Sequence, residues 1–161
     1  MTSIGEEDFI QSVQNALQFI SYYHPLDFIR AMHAAYEREQ SPAARDAIAQ
    51  ILVNSRMCAE GHRPICQDTG IVTVFVDVGI EVRWDSARGL ETLVDEAVRR
   101  AYRDPDNPLR ASIVSDPAGS RRNTGDNTPA VTHVRVVPGD RVGITVAAKG
   151  GGSENKARFT V

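Results

Sequence analysis

Apolar residues recur at helical intervals through the first third of the chain and at every second position later, and this change of period divides the sequence. Phe9, Val13, Leu17 and Ile20 mark one face of a helix over Glu6 to Tyr22, with Ser3 and Glu6 at capping-box spacing. His24-Pro25 ends it, and Leu26, Ile29, Met32 and Tyr36 predict a second helix from Leu26 to Glu39. A third follows, with Ser41 as its N-cap, Pro42 in its first turn and Ala44, Ile48, Ile51 and Leu52 on its apolar face. These three helices read as scaffold. From Asn54 to Gly70 the period is lost, and polar residues, glycine and proline predict a loop.

Val72, Val74, Val76 and Val78 then alternate with Thr73, Phe75 and Asp77, which predicts a strand from Ile71 to Val78. Leu90, Leu93, Val94, Ala97, Val98 and Tyr102 form a fourth helical stripe, stopped by the Asp and Pro residues between Asp104 and Pro108. Ala111 to Ser115 is a short strand candidate. Ala130 to Val137 and Arg141 to Ala148 flank Pro138-Gly139-Asp140, a turn signal that predicts a hairpin. Helices come first and strands later. The pattern therefore predicts an α+β fold: N-terminal helices followed by a mostly antiparallel sheet with an additional packed helix.

Composition narrows the function classes. The chain has 161 residues, 42% of them hydrophobic and 24% charged, which suits one globular domain with a sizeable core. A net charge of −3 gives no electrostatic footprint for nucleic acid or an anionic membrane, and Arg121-Arg122 is too short to change that. No segment approaches the length of a membrane span, and Glu6, Glu7 and Asp8 do not suit a signal peptide. A cytoplasmic protein is expected. Two cysteines, Cys58 and Cys66, are too few for a disulfide framework or a self-contained metal site.

Two loops carry candidate chemistry. Cys66-Gln67-Asp68-Thr69-Gly70 places a thiol and a carboxylate two residues apart, just ahead of a strand. By residue type alone, Cys66 is more often a buried free thiol than a ligand, Asp68 suits a turn cap and Gln67 a solvated amide. The second loop is Lys149-Gly150-Gly151-Gly152-Ser153-Glu154-Asn155-Lys156, whose glycines suit a sharp turn or a ligand close to the backbone. It is no P-loop, because Lys156 is followed by Ala157 rather than Ser or Thr. His24, His33, His62 and His133 form no H-x-x-H pair, and Cys58 reads as packing.

These two loops, taken with Asn54-Ser55-Arg56-Met57-Cys58-Ala59-Glu60-Gly61, Leu109-Arg110-Ala111-Ser112 and Asn123-Thr124-Gly125-Asp126-Asn127-Thr128-Pro129-Ala130, resemble the class I fumarase family in the expected order. That family includes the alpha subunits of two-subunit fumarase and L-tartrate dehydratase. The resemblance covers nearly the whole chain. It implies a hydro-lyase with a 4Fe-4S cluster that interconverts fumarate and (S)-malate, the cluster held by three cysteines with one iron open as a Lewis acid.

By the same resemblance Cys66 matches one cluster ligand, and Asp68 matches a carboxylate that moves a proton at the substrate hydroxyl. Gln67, Asp68, Arg110 and Gly152 match substrate-binding positions, with the Arg110 guanidinium suited to a carboxylate. Lys149, Asn155 and Lys156 either border the site or are solvated loop residues. Thr124, Asp126, Asn127 and Thr128 are expected to fix a loop rather than react.

The family continues beyond Lys156, and its other cluster cysteines and its proton-abstracting residue lie there. Residues 1–161 are therefore expected to form a single domain from the N-terminal part of a longer enzyme, with 1–53 helical and 54–161 holding the sheet and the site loops. The partners expected are a dicarboxylate substrate, the remaining C-terminal part and a second copy in a homodimer. Alone the chain is expected to hold no complete cluster and to be inactive. The alternatives are part of a dehydratase for tartrate or another 2-hydroxy dicarboxylate, or an assembly module of the same fold without chemistry of its own, exposing apolar area for a partner.

Overall fold

The computed structural model describes residues 2–107, 109–151 and 158. The elements in chain order are β1 (Ser3–Gly5), α1 (Glu6–Tyr22), α2 (Leu26–Arg38), α3 (Pro42–Gly61), β2 (Ile71–Gly79), β3 (Arg83–Asp85), α4 (Leu90–Arg103), β4 (Val114–Ser115), β5 (Arg122–Asn123), β6 (Val131–Val137) and β7 (Val142–Lys149). The fold is α+β, as the grouping of periods predicts. Its core is a three-stranded sheet covered on one face by α1 and α4.

Alternation explains which face is covered. Val72, Val74 and Val76 of β2 are fully buried against Phe9, Ile10, Val13 and Leu17 of α1 and Leu93, Val94, Ala97 and Val98 of α4. The odd-numbered side chains face the other way, where Phe75 stacks on His133 and Asp77 takes a two-pronged contact from Arg135 at 2.9 and 2.6 Å. Each valine side chain fully buried contributes about 1.5–3 kcal/mol, so β2 and the two helix stripes are the main apolar investment. Helices α2 and α3 pack on each other, but α2 buries no residue fully and α3 buries only Ser55 and Cys58.

Three local readings are corrected. Ser3 is paired in β1 with Arg83 and does not cap α1; its cap is Gly5, and the Glu6 carboxylate goes instead to Arg88 and the Ser86 hydroxyl. Helix α3 continues past Asn54 to Gly61, because Ser55 and Cys58 prolong its buried side by one more turn. It ends in a left-handed residue, His62, at φ 47°.

The third correction concerns the hairpin. β6 and β7 do not pair; β2 lies between them, in the order β6-β2-β7, parallel to β6 and antiparallel to β7. The sheet is mixed rather than mostly antiparallel. The turn at residues 138–140 spans one intervening strand, about 10 Å from β6 to β7, and the exit of β2 uses its backbone groups. Gly79, Ile80 and Glu81 donate to the carbonyls of Arg141, Val137 and Gly139 at 2.9, 2.9 and 3.0 Å. Turn residues identify a reversal but not how many strands it spans.

Gly79 reports on this arrangement, since a Cβ there would sit 2.7 Å from the Gly139 carbonyl carbon. Gly79→Ala is expected to destabilise the protein by about 1–3 kcal/mol in urea unfolding. A neutral substitution would contradict a turn wrapped over the end of β2.

Candidate active site

The site is built at the end of the sheet where β2 begins. Gly70, immediately before β2, adopts φ +76°, and a Cβ on it would lie 2.5 Å from the Gly150 backbone nitrogen. Only glycine meets both demands. The two candidate loops are thereby pressed together, and Asp68 joins them: its Oδ1 accepts from Gly70 N at 3.1 Å and its Oδ2 from Gly151 N at 2.8 Å. The turn-cap reading of Asp68 is thus met within its own loop and extended across to the glycine loop. A carboxylate retains further lone pairs after two such bonds, so neither oxygen is saturated.

Arg110 reaches the same place through the backbone. The Thr69 hydroxyl donates to Arg110 O, and the Tyr102 hydroxyl donates to Thr69 O at 3.3 Å. Burial pushes the Tyr102 phenol up, which keeps it a donor. Leu109, buried beside the core, fixes the residue before Arg110. The result is a cavity of about 700 Å³ lined by Gln67, Asp68, Gly70, Arg110, Ser112 and Gly151 at its polar end. Ile71, Ile113, Val114, Pro117 and Pro129 form its apolar wall.

Asn123 to Thr128 is the wiring of this cavity. Asn123 Nδ2 donates to Ala111 O at 2.7 Å, and Thr124 N to Ile113 O at 2.9 Å. Asn127, fully buried and at φ 61°, donates to Gly70 O at 2.9 Å and accepts from Ser112 N and Ile113 N at 2.7 and 3.2 Å. Asp126 ties the segment to α4, bonding Arg99 Nε at 3.2 Å while its other oxygen takes the Thr128 amide and hydroxyl at 3.1 and 2.7 Å. The expectation that these residues fix a loop holds, and the loop they fix backs the wall of this cavity.

Cys66 lies on the other side of Asp68. It is exposed and lines a smaller cavity of about 220 Å³ that also includes His24, Ile65, Asp68 and Thr69. Cys58 is buried, and its thiol is occupied by Asn54 Oδ1 at 3.7 Å and Pro64 O at 3.6 Å, as a packing role requires. Among the described residues no group of three or more His, Cys, Asp or Glu side chains could hold a metal. Cys66 is the one exposed cysteine thiol, so the described residues supply a single thiol donor beside this cavity.

His24 bonds Ser55 Oγ at 3.0 Å, and burial pushes its pKa down. His62 bonds the Tyr23 hydroxyl at 3.1 Å, His133 stacks on Phe75, and His33 pairs loosely with Glu37 on the surface. Lys149 bonds Gly150 O. Gly152, Asn155 and Lys156 fall outside the described residues. Sequence reasoning did not single out Thr69, Tyr102 or Ser112 for the site. Their contacts cross 33 to 41 positions or lie in a cavity wall, with no local signature.

Residues 10–161 match the model of the family described as fumarate hydratase (Fumerase). The chain belongs to that family. It is 31% identical over 151 residues to an L(+)-tartrate dehydratase subunit alpha of Escherichia coli, covering 92% of this chain and 48% of that subunit. It is 34% identical over 121 residues to the anaerobic class I fumarate hydratase of Escherichia coli, covering 75% of this chain and 22% of that enzyme. The fumarase-family chain thus spans about half the length of the tartrate dehydratase subunit that it matches, and about a fifth of the fumarate hydratase. No described helix is long and apolar enough to cross a membrane.

Two outcomes test the wiring. Asn127→Ala strands two amides and a carbonyl, and is expected to cost about 3 kcal/mol or more in denaturant unfolding; a loss below about 1 kcal/mol would contradict the three-way tie. Burial pushes the Asp126 carboxyl up, but Thr128 and Arg99 outweigh this and hold it below the usual carboxylate range. With its folded value depressed, Asp126 contributes stability above the unfolded value of about 4 and loses it as pH falls through the folded value. Asp126→Asn is expected to melt below wild type at neutral pH and to converge with it in strong acid. Equal melting at neutral pH would oppose the assignment.

Proposed function

We propose that this chain is the N-terminal, substrate-holding part of a cytoplasmic 4Fe-4S fumarate hydratase that interconverts fumarate and (S)-malate. The observation that carries the reading is the convergence of Gln67, Asp68 and Arg110 on one cavity although 42 positions separate Asp68 from Arg110. A guanidinium can take a carboxylate through two parallel N–H bonds, and the Gln67 amide can donate to the same dicarboxylate. Asp68, held by two backbone amides, would move a proton at the substrate hydroxyl.

Cys66 would be one thiolate ligand of the cluster, beside the smaller cavity whose lining it shares with Asp68. When bound, the cluster supplies Lewis acidity that makes hydroxide a tolerable leaving group. Gly152 of the glycine loop would approach substrate through its backbone. The further ligands, the proton-abstracting residue and the second copy of a homodimer are assigned to the rest of the enzyme, with residues 1–161 as one domain of it. A second reading, an L-tartrate dehydratase alpha chain, is favoured by the match over 92% of this chain. Both readings share a dicarboxylate hydro-lyase site.

Anaerobic reconstitution of the 161-residue chain with iron and sulfide is expected to give no stoichiometric cluster and no hydration of fumarate. A full cubane absorbance with turnover would overturn the division of labour. In the complete enzyme, Cys66→Ser is expected to weaken cluster retention and Arg110→Ala to raise KM. Asp68→Asn is expected to keep the cluster while lowering kcat about 10²-fold or more. Full turnover by Asp68→Asn removes the proton-transfer role. Comparing fumarate and L-tartrate as substrates separates the two readings.

A further inference from the structure

Two hydroxyl oxygens, Ser112 Oγ and Thr124 Oγ1, are buried without a hydrogen-bond partner among the described residues. Folded proteins leave few such groups, because a buried donor with no acceptor forfeits its bond to water. The two differ in position. Thr124 ties its own segment to Ile113 through its amide bond to Ile113 O and is absent from the cavity lining, whereas Ser112 is part of the lining of the larger cavity with Arg110 and Asp68. Ser112 is also held in place. Its amide donates to Asn127 Oδ1 at 2.7 Å, and the next amide donates to the same atom at 3.2 Å, so the backbone is pinned by a side chain that is itself fully buried.

The cavity lining combines Arg110, Gln67 and Ser112 with the apolar Ile113, Val114 and Pro117, and the unsatisfied Ser112 oxygen lies just beneath that lining. We propose that Ser112 is a substrate-positioning residue, its hydroxyl, buried in the ligand-free chain, turning about χ1 to donate to an oxygen of the carboxylate that Arg110 engages. The assignment rests on the dicarboxylate reading of the site. Arg110 supplies charge, which attracts a carboxylate without fixing its rotation when the contact is made from one side. A neutral hydroxyl on a pinned backbone adds a second direction, setting the carboxylate plane without a further charge to desolvate. The orphaned state of Ser112 is then a property of the ligand-free chain that substrate removes.

This gives stability effects of opposite sign. Without ligand, Ser112→Ala removes an unsatisfied polar group and is expected to melt at the wild-type temperature or above it. With ligand, it is expected to bind about tenfold more weakly, the scale of one hydrogen bond to a charged acceptor. The 161-residue chain is titrated with fumarate and with L-tartrate by amide NMR, and melted with and without each acid, for wild type, Ser112→Ala, Ser112→Thr and Arg110→Ala. Ser112→Thr keeps the hydroxyl and is expected to recover most of the affinity.

If Arg110→Ala abolishes binding but Ser112→Ala binds within about twofold of wild type, the Ser112 assignment fails and the dicarboxylate reading stands. A ligand-free Ser112→Ala that melts below wild type marks a structural hydroxyl and also overturns the assignment. No amide shift near Gln67, Arg110 or Ser112 with either acid at millimolar concentration overturns both.

Discussion

The Asn127 carboxamide occupies a point where three stretches of backbone would otherwise leave polar groups unpaired. It is the only described buried polar residue with no solvent exposure at all. Its amide nitrogen serves Gly70 O and its oxygen serves two amides of the 112–113 segment, so one side chain satisfies one acceptor and two donors. Each of those groups would cost about 1–3 kcal/mol if stranded. The loop before β2 and the wall carrying Arg110 and Ser112 therefore cannot move independently without breaking these bonds. Asp126, one residue earlier, extends the constraint to Arg99 on α4, whose opposite face is buried in the core. Packing of the helix on the sheet thus reaches the cavity through two adjacent side chains.

Sheet order explains why these groups meet. Ile71 of β2 is opposite Lys149 of β7, and Thr73 of β2 is opposite Val131 of β6. The start of β2, the start of β6 and the end of β7 consequently share one end of the sheet. The Cys66–Gly70 loop enters there, the Thr128–Pro129 segment enters there, and the glycine loop leaves there. With β2 in the middle, its entry loop lies between the other two and contacts both. Gly70 meets the Gly150 backbone on one side and Asn127 on the other.

Most elements were legible in the sequence because their periods are strong and their signals local. Alternating valines define β2 and the 90–102 stripe defines α4, since each buries one face against the same core. What was not legible depends on partners far along the chain. Ser3 and Glu6 have the spacing of a capping box, yet Arg83 and Arg88 compete for them and win. The turn at 138–140 has the right residues for a hairpin, but β2 pairs with both β6 and β7 and takes the place between them. At the site, Gln67, Asp68 and Arg110 were chosen by resemblance to a family motif, where residue type alone favoured a turn cap for Asp68 and a solvated amide for Gln67. Thr69, Tyr102 and Ser112 matter through bonds or cavity positions that no spacing rule encodes.

The arrangement of the Cys66–Gly70 loop has a chemical consequence of its own. Cys66 opens to one cavity and Gln67 to another, while Asp68 lines both. Asp68 is also held by amides from two loops, so placing its carboxylate requires little further loss of side-chain freedom. A group bound at the thiol and a dicarboxylate bound at Arg110 would then approach each other across that carboxylate. The same geometry makes the glycine loop part of the site even where it touches no ligand. Gly151 N fixes Asp68 Oδ2, and a Cβ at Gly150 would stand 3.1 Å from that oxygen. Gly150 is thus explained first by the approach of backbone to a carboxylate of the protein itself.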